Sequence, residues 1–399
     1  MSKASILATS TSKPAVILIL FLVWSSGWAI AQTDGREKIC SFLVNVENDE
    51  FQMIDTDENY TAGHLLMNTC RFEKGNLEKE KPLSPLVHDL NKAVSSWSPL
   101  SKHEYVQNSG YFGFLLFTPN DFEKPKPTKG DGRPYASLFY IGDSKVFVDG
   151  KKGKTFKQDI QLGLLGMSLG GKIQKEVHRF IGSDIPQGWP TQISNGGEPT
   201  FLYALQETNL WLGGDDSNRS TKLDLVTTHG FTVGYYNSLQ ASLAARFGRI
   251  TLPFWASYGP IFMRTPSAQR VEGDDPFSPT QNSGRKNRGA PSPTQSSRPQ
   301  NGNGKKNDDS KLALDEAYLF LAGGVDLVAY SALLQGQFRS NDYEFESSDV
   351  ERLVPHAVIG IVLQLGRLQL SYSHTIRERE IRGGKNHSWG QISIAFFYD

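Results

Sequence analysis

Six carboxylates crowd the stretch NVENDEFQMIDTDENYTAGHLL, Asn45 to Leu66: Glu47, Asp49, Glu50, Asp55, Asp57 and Glu58. Repelling acids packed this closely form either a solvated turn or a cation site. The EF-hand calcium loop starts well at Asp55, Asp57 and Asn59. It then fails, with Tyr60 where the turn glycine belongs and Leu66 where the bidentate Glu belongs. A metal bound here would draw its other ligands from elsewhere in the chain.

A second stretch, GGKIQKEVHRFIGSDIPQGWPTQ, carries the other candidate chemistry. Ile173, Val177, Phe180 and Ile181 recur at helical spacing and Gly182 stops the helix, with His178 inside it. A lone histidine on a partly apolar helix is more often structural than catalytic. Here, however, Asp184 follows within reach as an orienting carboxylate. A histidine so held can act as general base on water, and a divalent cation nearby can stabilise the oxyanion of an attacked ester. No serine stands out as the partner of a Ser–His relay and there is no zinc-like His/Cys spacing, so hydrolysis would use activated water rather than a serine nucleophile.

The elements that must position these residues are strands. At the N-terminus Lys3 and Lys13 precede the apolar run PAVILILFLVW, and Ala29 and Ala31 give a small-x-small cleavage pattern. Residues 1–31 are expected to be a signal peptide, with an uncleaved anchor as the competing reading. The chain holds 42 basic and 42 acidic residues. Losing the leader's two lysines leaves it slightly acidic, which argues against nucleic acid as a partner. After the leader no segment approaches the roughly 18–20 apolar residues that a spanning helix needs. The chain instead has 38 glycines, 23 Phe, 14 Tyr and many short polar–apolar alternations.

In RLQLSYSHTIRER, Leu368, Leu370 and Tyr372 alternate with Arg367, Gln369, Ser371 and Ser373. In SWGQISIAFFYD, Ile392, Ile394, Phe396 and Tyr398 share one face, opposite Gln391, Ser393 and Ala395. In TFKQDIQLGLL, Phe156, Ile160, Leu162 and Leu164 oppose Lys157, Asp159 and Gln161. Amphipathic strands of about ten residues are long enough to cross an outer membrane. The pattern predicts strands near 41–49, 60–73, 109–118, 134–148, 155–167, 199–213, 221–235, 238–252, 315–330, 332–340, 353–365, 367–379 and 388–398. Thirteen is one too many for a bacterial barrel, which has an even count, and 332–340 is the weakest.

Pairing the first two strands about residue 55 sets Asp49 opposite Thr61 and Cys40 opposite Cys70, the only two cysteines. In an exported chain that pair reads as a disulfide. Ser41, Asn45, Glu47 and Asp49 would face inward, while Asn48 would point outward unless a bulge turns it. The mature domain spans 32–399, with a Pro-, Ser- and Asn-rich insertion at about 269–310 that has no hydrophobic period and reads as a disordered loop.

Several strings together, NVENDE, NYTAGHLL, FTPND, GRPYASLFYIG, LGLLGMSLGGKIQKEVHRFIG and PQGWPTQ, resemble the LpxR family of outer-membrane lipid A 3'-O-deacylases. They occur in family order across most of the mature chain. The resemblance implies a transmembrane antiparallel β-barrel of twelve strands in the outer membrane, with a short extracellular-side helix carrying His178. It implies a calcium-dependent hydrolase that removes the 3'-linked acyloxyacyl chain from lipid A of lipopolysaccharide. By motif, Asn48 and Asp49 fall on the essential Asn-Asp pair with Asp49 near Ca2+, Thr61 on the conserved Thr, and His178 on the catalytic base. The family's carboxylate after the histidine is typically Glu; Asp184 matches it here, one methylene shorter, with Glu198 as a weaker substitute. The family's active-site lysine has no matching position. Two other functions suit the same fold: a non-catalytic pore, whose conductance would depend on Arg367, Arg377 and Lys157, and a phospholipase acting on glycerophospholipids.

Overall fold

Twelve antiparallel strands close on themselves, each hydrogen-bonded to its sequence neighbour and the first to the last. The computed structural model describes residues 38–51, 62–72, 82–149, 152–213, 222–250, 314–339, 341 and 343–398. The signal-peptide expectation and the 269–310 insertion both lie outside these residues. The strands are β1 Lys38–Asn48, β2 Ala62–Phe72, β3 Glu104–Phe117, β4 Ala136–Asp149, β5 Lys154–Leu165 and β6 Glu198–Leu212. The second half is β7 Lys222–Gly234, β8 Tyr236–Arg249, β9 Leu314–Ser331, β10 Leu353–Leu365, β11 Leu368–Arg377 and β12 His387–Tyr398. Among the described residues three α-helices interrupt the sequence of strands: α1 Pro85–Trp97, α2 Ser168–Ile181 and α3 Ala332–Gln335. The strand expected over 332–340 is replaced by α3 and the loop after it. Its apolar residues Leu333 and Leu334 are buried in the cap of the barrel rather than alternating across a wall.

Burial alternates along β8, β9 and β10 as the sequence pattern requires, whereas β3 and β4 are buried over most of their length. Asn45 points into the barrel, where it accepts hydrogen bonds from Ser393 Oγ (2.7 Å) and from Gln391 Nε2. Outward positions such as Leu243, Phe247, Leu319, Leu321, Ile361 and Phe396 are apolar and exposed. An apolar band with no protein over it is what a wall facing lipid needs. Cys40 pairs with Cys70 in register and the two form a disulfide.

Cys40 also pairs with Tyr398, so the start of β1 and the end of β12 sit at one end of the barrel, here the terminal end. The end of β1, the start of β2 and the connections from β3 to β4, β5 to β6, β7 to β8, β9 to β10 and β11 to β12 lie at the opposite rim. The lumen beneath that rim is crossed by a buried charge network. Arg377 donates from Nη1 to Asp326 Oδ2 (2.8 Å) and from Nη2 to the Tyr236 hydroxyl (2.8 Å), and its Nε lies 3.3 Å from Glu380 Oε1. Arg133 reaches the other Glu380 oxygen at 3.2 Å and lies 3.9 Å above the Phe117 ring. Burial alone would push the Glu380 carboxyl up; Arg133, Arg377 and His387 outweigh it and hold the group down to about 2.

Candidate functional site

His178 sits in the last turns of α2, whose boundaries follow from its sequence. Gly182 adopts the left-handed conformation at the C-terminus (φ 76°), and its N–H closes onto the His178 carbonyl. Two glycines let the start of the helix lie flat on protein. A Cβ at Gly170 would come within 2.8 Å of Leu116 and Ser137, and one at Gly171 within 2.6 Å of the Trp189 ring. Leu116 on β3 and Ser137 on β4 are outward-facing, so α2 folds back over the outside of the barrel wall rather than into the lumen.

The strings singled out in the sequence meet around this helix. Trp189 donates from Nε1 to Gln174 Oε1 on α2 (2.7 Å), and its ring lies 5.0 Å from that of Tyr135. The Tyr135 hydroxyl donates to the Phe122 carbonyl at 2.5 Å, and the Gln187 N–H donates to the same oxygen at 3.0 Å. Burial pushes the Tyr135 hydroxyl up to about 12, which keeps it a donor. Phe122, thus anchored, meets the His178 ring edge-on at 5.8 Å. Ser137 Oγ lies 3.0 Å from the Met167 carbonyl just before α2 and 2.9 Å from Gln192 Oε1.

The partner of His178 Nδ1 is the main-chain carbonyl of Asp184, at 2.5 Å, rather than its carboxylate. The Asp184 carboxylate instead faces Glu123, whose carboxyl it raises by charge repulsion and by a shared hydrogen bond. Glu198 is committed elsewhere: it accepts from Ser194 Oγ (2.8 Å) and from the Phe338 N–H (3.2 Å) at the top of β6.

The end of β1 lies at the same rim. Asn48 ends β1 opposite Ala62, which is opposite Leu116, the residue under Gly170. At a strand spacing of about 4.8 Å, the foot of α2 therefore stands roughly 10 Å from Asn48. The inward alternation does not continue to Asp49, as the sequence pattern had suggested. Strand β1 stops at Asn48, and Asp49–Phe51 form a 3-10 turn. This turn lays the Phe51 carbonyl over Gly390 on the outer face of β12, where the Tyr372 hydroxyl donates to it at 2.7 Å. Gly390 has the clearance the crossing needs, since a Cβ there would come within 2.0 Å of that carbonyl. Thr61 lies outside the described residues.

Asn48, the 3-10 turn and His178's helix thus flank one stretch of outer wall, not the lumen. The exposed flank of α2 beside this wall is apolar: Leu169, Val177 and Phe180 stand out from the protein, Phe180 at 67% exposure. The sequence signal for that stripe was legible as helical periodicity, but not which way it would face. Asp49 and Asn48 bring hard oxygen donors, the type that calcium takes. Among the described residues no three His, Cys, Asp or Glu side chains converge as a metal cluster, so these residues alone do not complete a shell.

A family model described as "Outer membrane protein LpxR" matches residues 16–398. Among curated proteins no relative matches. Among solved structures, LpxR from Salmonella typhimurium superposes with a TM-score of 0.63 at 15% identity, covering 90% of this chain and 100% of that one. That match shows the fold. The translocator domain of the autotransporter NalP from Neisseria meningitidis aligns over 96% of this chain and 95% of its own, at 7% identity and a TM-score of 0.34.

Proposed function

The chain belongs to the LpxR family of outer-membrane proteins, and from that membership we propose that it is a lipid A deacylase, hydrolysing the ester that links the 3'-acyloxyacyl chain of lipopolysaccharide's lipid A. The observation that carries this reading is the position of His178. It lies on a helix pressed to the outside of the wall, at the rim that carries Asn48 and Asp49, beside an apolar stripe exposed to the outer leaflet. A base placed there meets a membrane lipid without drawing it into the barrel.

In the proposed reaction His178 Nε2 takes a proton from water as the water oxygen bonds to the ester carbonyl carbon. The Asp184 carbonyl, at Nδ1, holds the ring in the tautomer that leaves Nε2 free to accept. The carbonyl oxygen gains the displaced electron pair. On collapse the bond to the sugar oxygen breaks and His178 returns the proton to it, giving a free 3'-hydroxyl and a carboxylic acid. Asp49 would hold calcium, which would supply positive charge to the developing oxyanion. Asn48 and Thr61 position the substrate or support the metal's ligands. Phe122, Tyr135, Trp189 and Gln174 hold the helix and thereby the ring.

The pore reading meets a physical obstacle in the lumen. Arg377, one of the residues it relies on, is buried in the Asp326–Tyr236–Glu380 network. The deacylase reading is tested by incubating the detergent-purified protein with lipid A or with phosphatidylethanolamine, in calcium or in EDTA, and reading lipid masses. The expected result is loss of one acyloxyacyl unit from lipid A in calcium only. Unchanged lipid A from folded protein, or fatty acid released from phosphatidylethanolamine instead, would overturn it.

A further inference from the structure

Helix α1 has its polarity arranged the wrong way round for a helix surrounded by water. The chain leaves β2 and enters β3 at the terminal end, which in an outer-membrane barrel is the periplasmic end, and α1 lies in that connection. The side it turns to the barrel is mainly polar, with Val87 the one apolar residue buried on it. His88 Nδ1 lies 3.1 Å from Asp143 Oδ2, and Asn91 Nδ2 donates to Asp143 Oδ1 at 2.7 Å. Gln158 Nε2 donates to Asn91 Oδ1 at 2.5 Å, and Asn108 Nδ2 to Asp143 Oδ2 at 2.9 Å. These wall residues are on the outside of the barrel. Asp143 follows the inward Gly142, which packs on Tyr111, and Gln158 precedes the inward Asp159, which accepts from the Tyr111 hydroxyl. Asp143, Gln158 and Asn108 are all nearly fully buried, and α1 is what covers them.

The apolar side of α1 faces away. Leu86, Leu90, Ala93 and Trp97 recur at i, i+4, i+7 and i+11, one stripe of a helix, and are exposed, Leu86 at 70% and Trp97 at 88%. A third face, with Asp89, Lys92 and Ser96, is exposed and polar. Three faces of three characters need three surroundings: barrel, hydrocarbon and water. Continuity names the hydrocarbon. Leu83, just before α1, sits on Gly110 of the outer wall, in line with the exposed Phe112 of the lipid-facing band. Trp211, at the end of β6, is also exposed at 70%, on the same terminal end as Trp97, where a membrane barrel carries an aromatic girdle.

We propose that α1 is an interfacial helix, clamped to the outer wall by its polar side and sinking the Leu86–Leu90–Trp97 stripe into the phospholipid leaflet on the periplasmic side. It patches a stretch of wall too polar to face lipid and presents an apolar surface in its place. This anchoring does not depend on what the far rim catalyses.

The test reconstitutes the full-length protein, and separately its Trp97→Phe variant, into phosphatidylethanolamine/phosphatidylglycerol vesicles. The difference in tryptophan fluorescence between the two reports Trp97. Phospholipids brominated on the acyl chain are expected to quench that difference signal by half or more, and aqueous iodide to leave it nearly unchanged. Strong quenching by iodide with none by brominated lipid would place the stripe in water and overturn the proposal. Insensitivity to both quenchers would also overturn it, since the stripe would then be covered by protein. Heat-modifiable gel mobility of both proteins certifies the fold.

Discussion

At the residue scale the candidate chemistry narrows to one ring and its neighbours. His178 Nδ1 is met by a carbonyl oxygen, which any residue at position 184 would supply. Asp184→Asn is therefore expected to lower the deacylation rate by less than about tenfold, under about 1.4 kcal/mol of barrier. A loss of a thousandfold would show that the carboxylate acts directly. Glu380 gives a pH-dependent counterpart in the cap. Its carboxyl is held at about 2 against a usual 4.5, so its contribution is present above pH 4.5 and is lost as pH falls toward 2. That contribution is on the order of 3 kcal/mol. The temperature of the gel-mobility shift should drop across this window for the native chain, and Glu380→Gln should flatten the drop. An equal drop in the variant would remove Glu380 from the account.

At the element scale, legibility differed between strands and what lies on them. Twelve strands were readable because one wall face must be apolar and the other polar, and that alternation leaves a period of two even where a bulge intervenes. The Cys40–Cys70 pairing followed from the same register. Helix α2 was readable from Ile173, Val177 and Gly182. Helix α1 was missed because its buried face is Val87 with His88, Asn91 and Ser95, so the stretch carries too little inward apolar signal to mark a helix. The inward placement of Asp49 failed because a 3-10 turn ends the alternation one residue earlier. Motif strings around Phe122, Tyr135 and Trp189 were recognisable, but their role as a clamp on α2 required contacts between residues far apart in sequence. That clamp is itself testable. Gly171→Val pushes a side chain into the Trp189 ring, and should lift α2 and cut the deacylation rate at least tenfold while leaving the barrel's heat-modifiable mobility intact. Full activity in that variant would mean that α2 need not lie flat on the wall.

At the scale of the whole molecule the barrel is a wall with equipment on its outside. The lumen is tied across by Arg377, Asp326, Glu380 and Arg133, while the 3-10 turn, α2 and α1 all lie on outward faces. Such an arrangement suits a protein whose substrate is the membrane around it. The most direct test of the central claim is the initial rate of lipid A deacylation by the native protein and by His178→Ala, read by mass spectrometry in the same calcium-containing detergent. A general base contributes about a hundred- to ten-thousandfold, so the variant should lose activity by at least a hundredfold while keeping its heat-modifiable mobility. A folded His178→Ala protein that deacylates lipid A at the native rate would contradict the account.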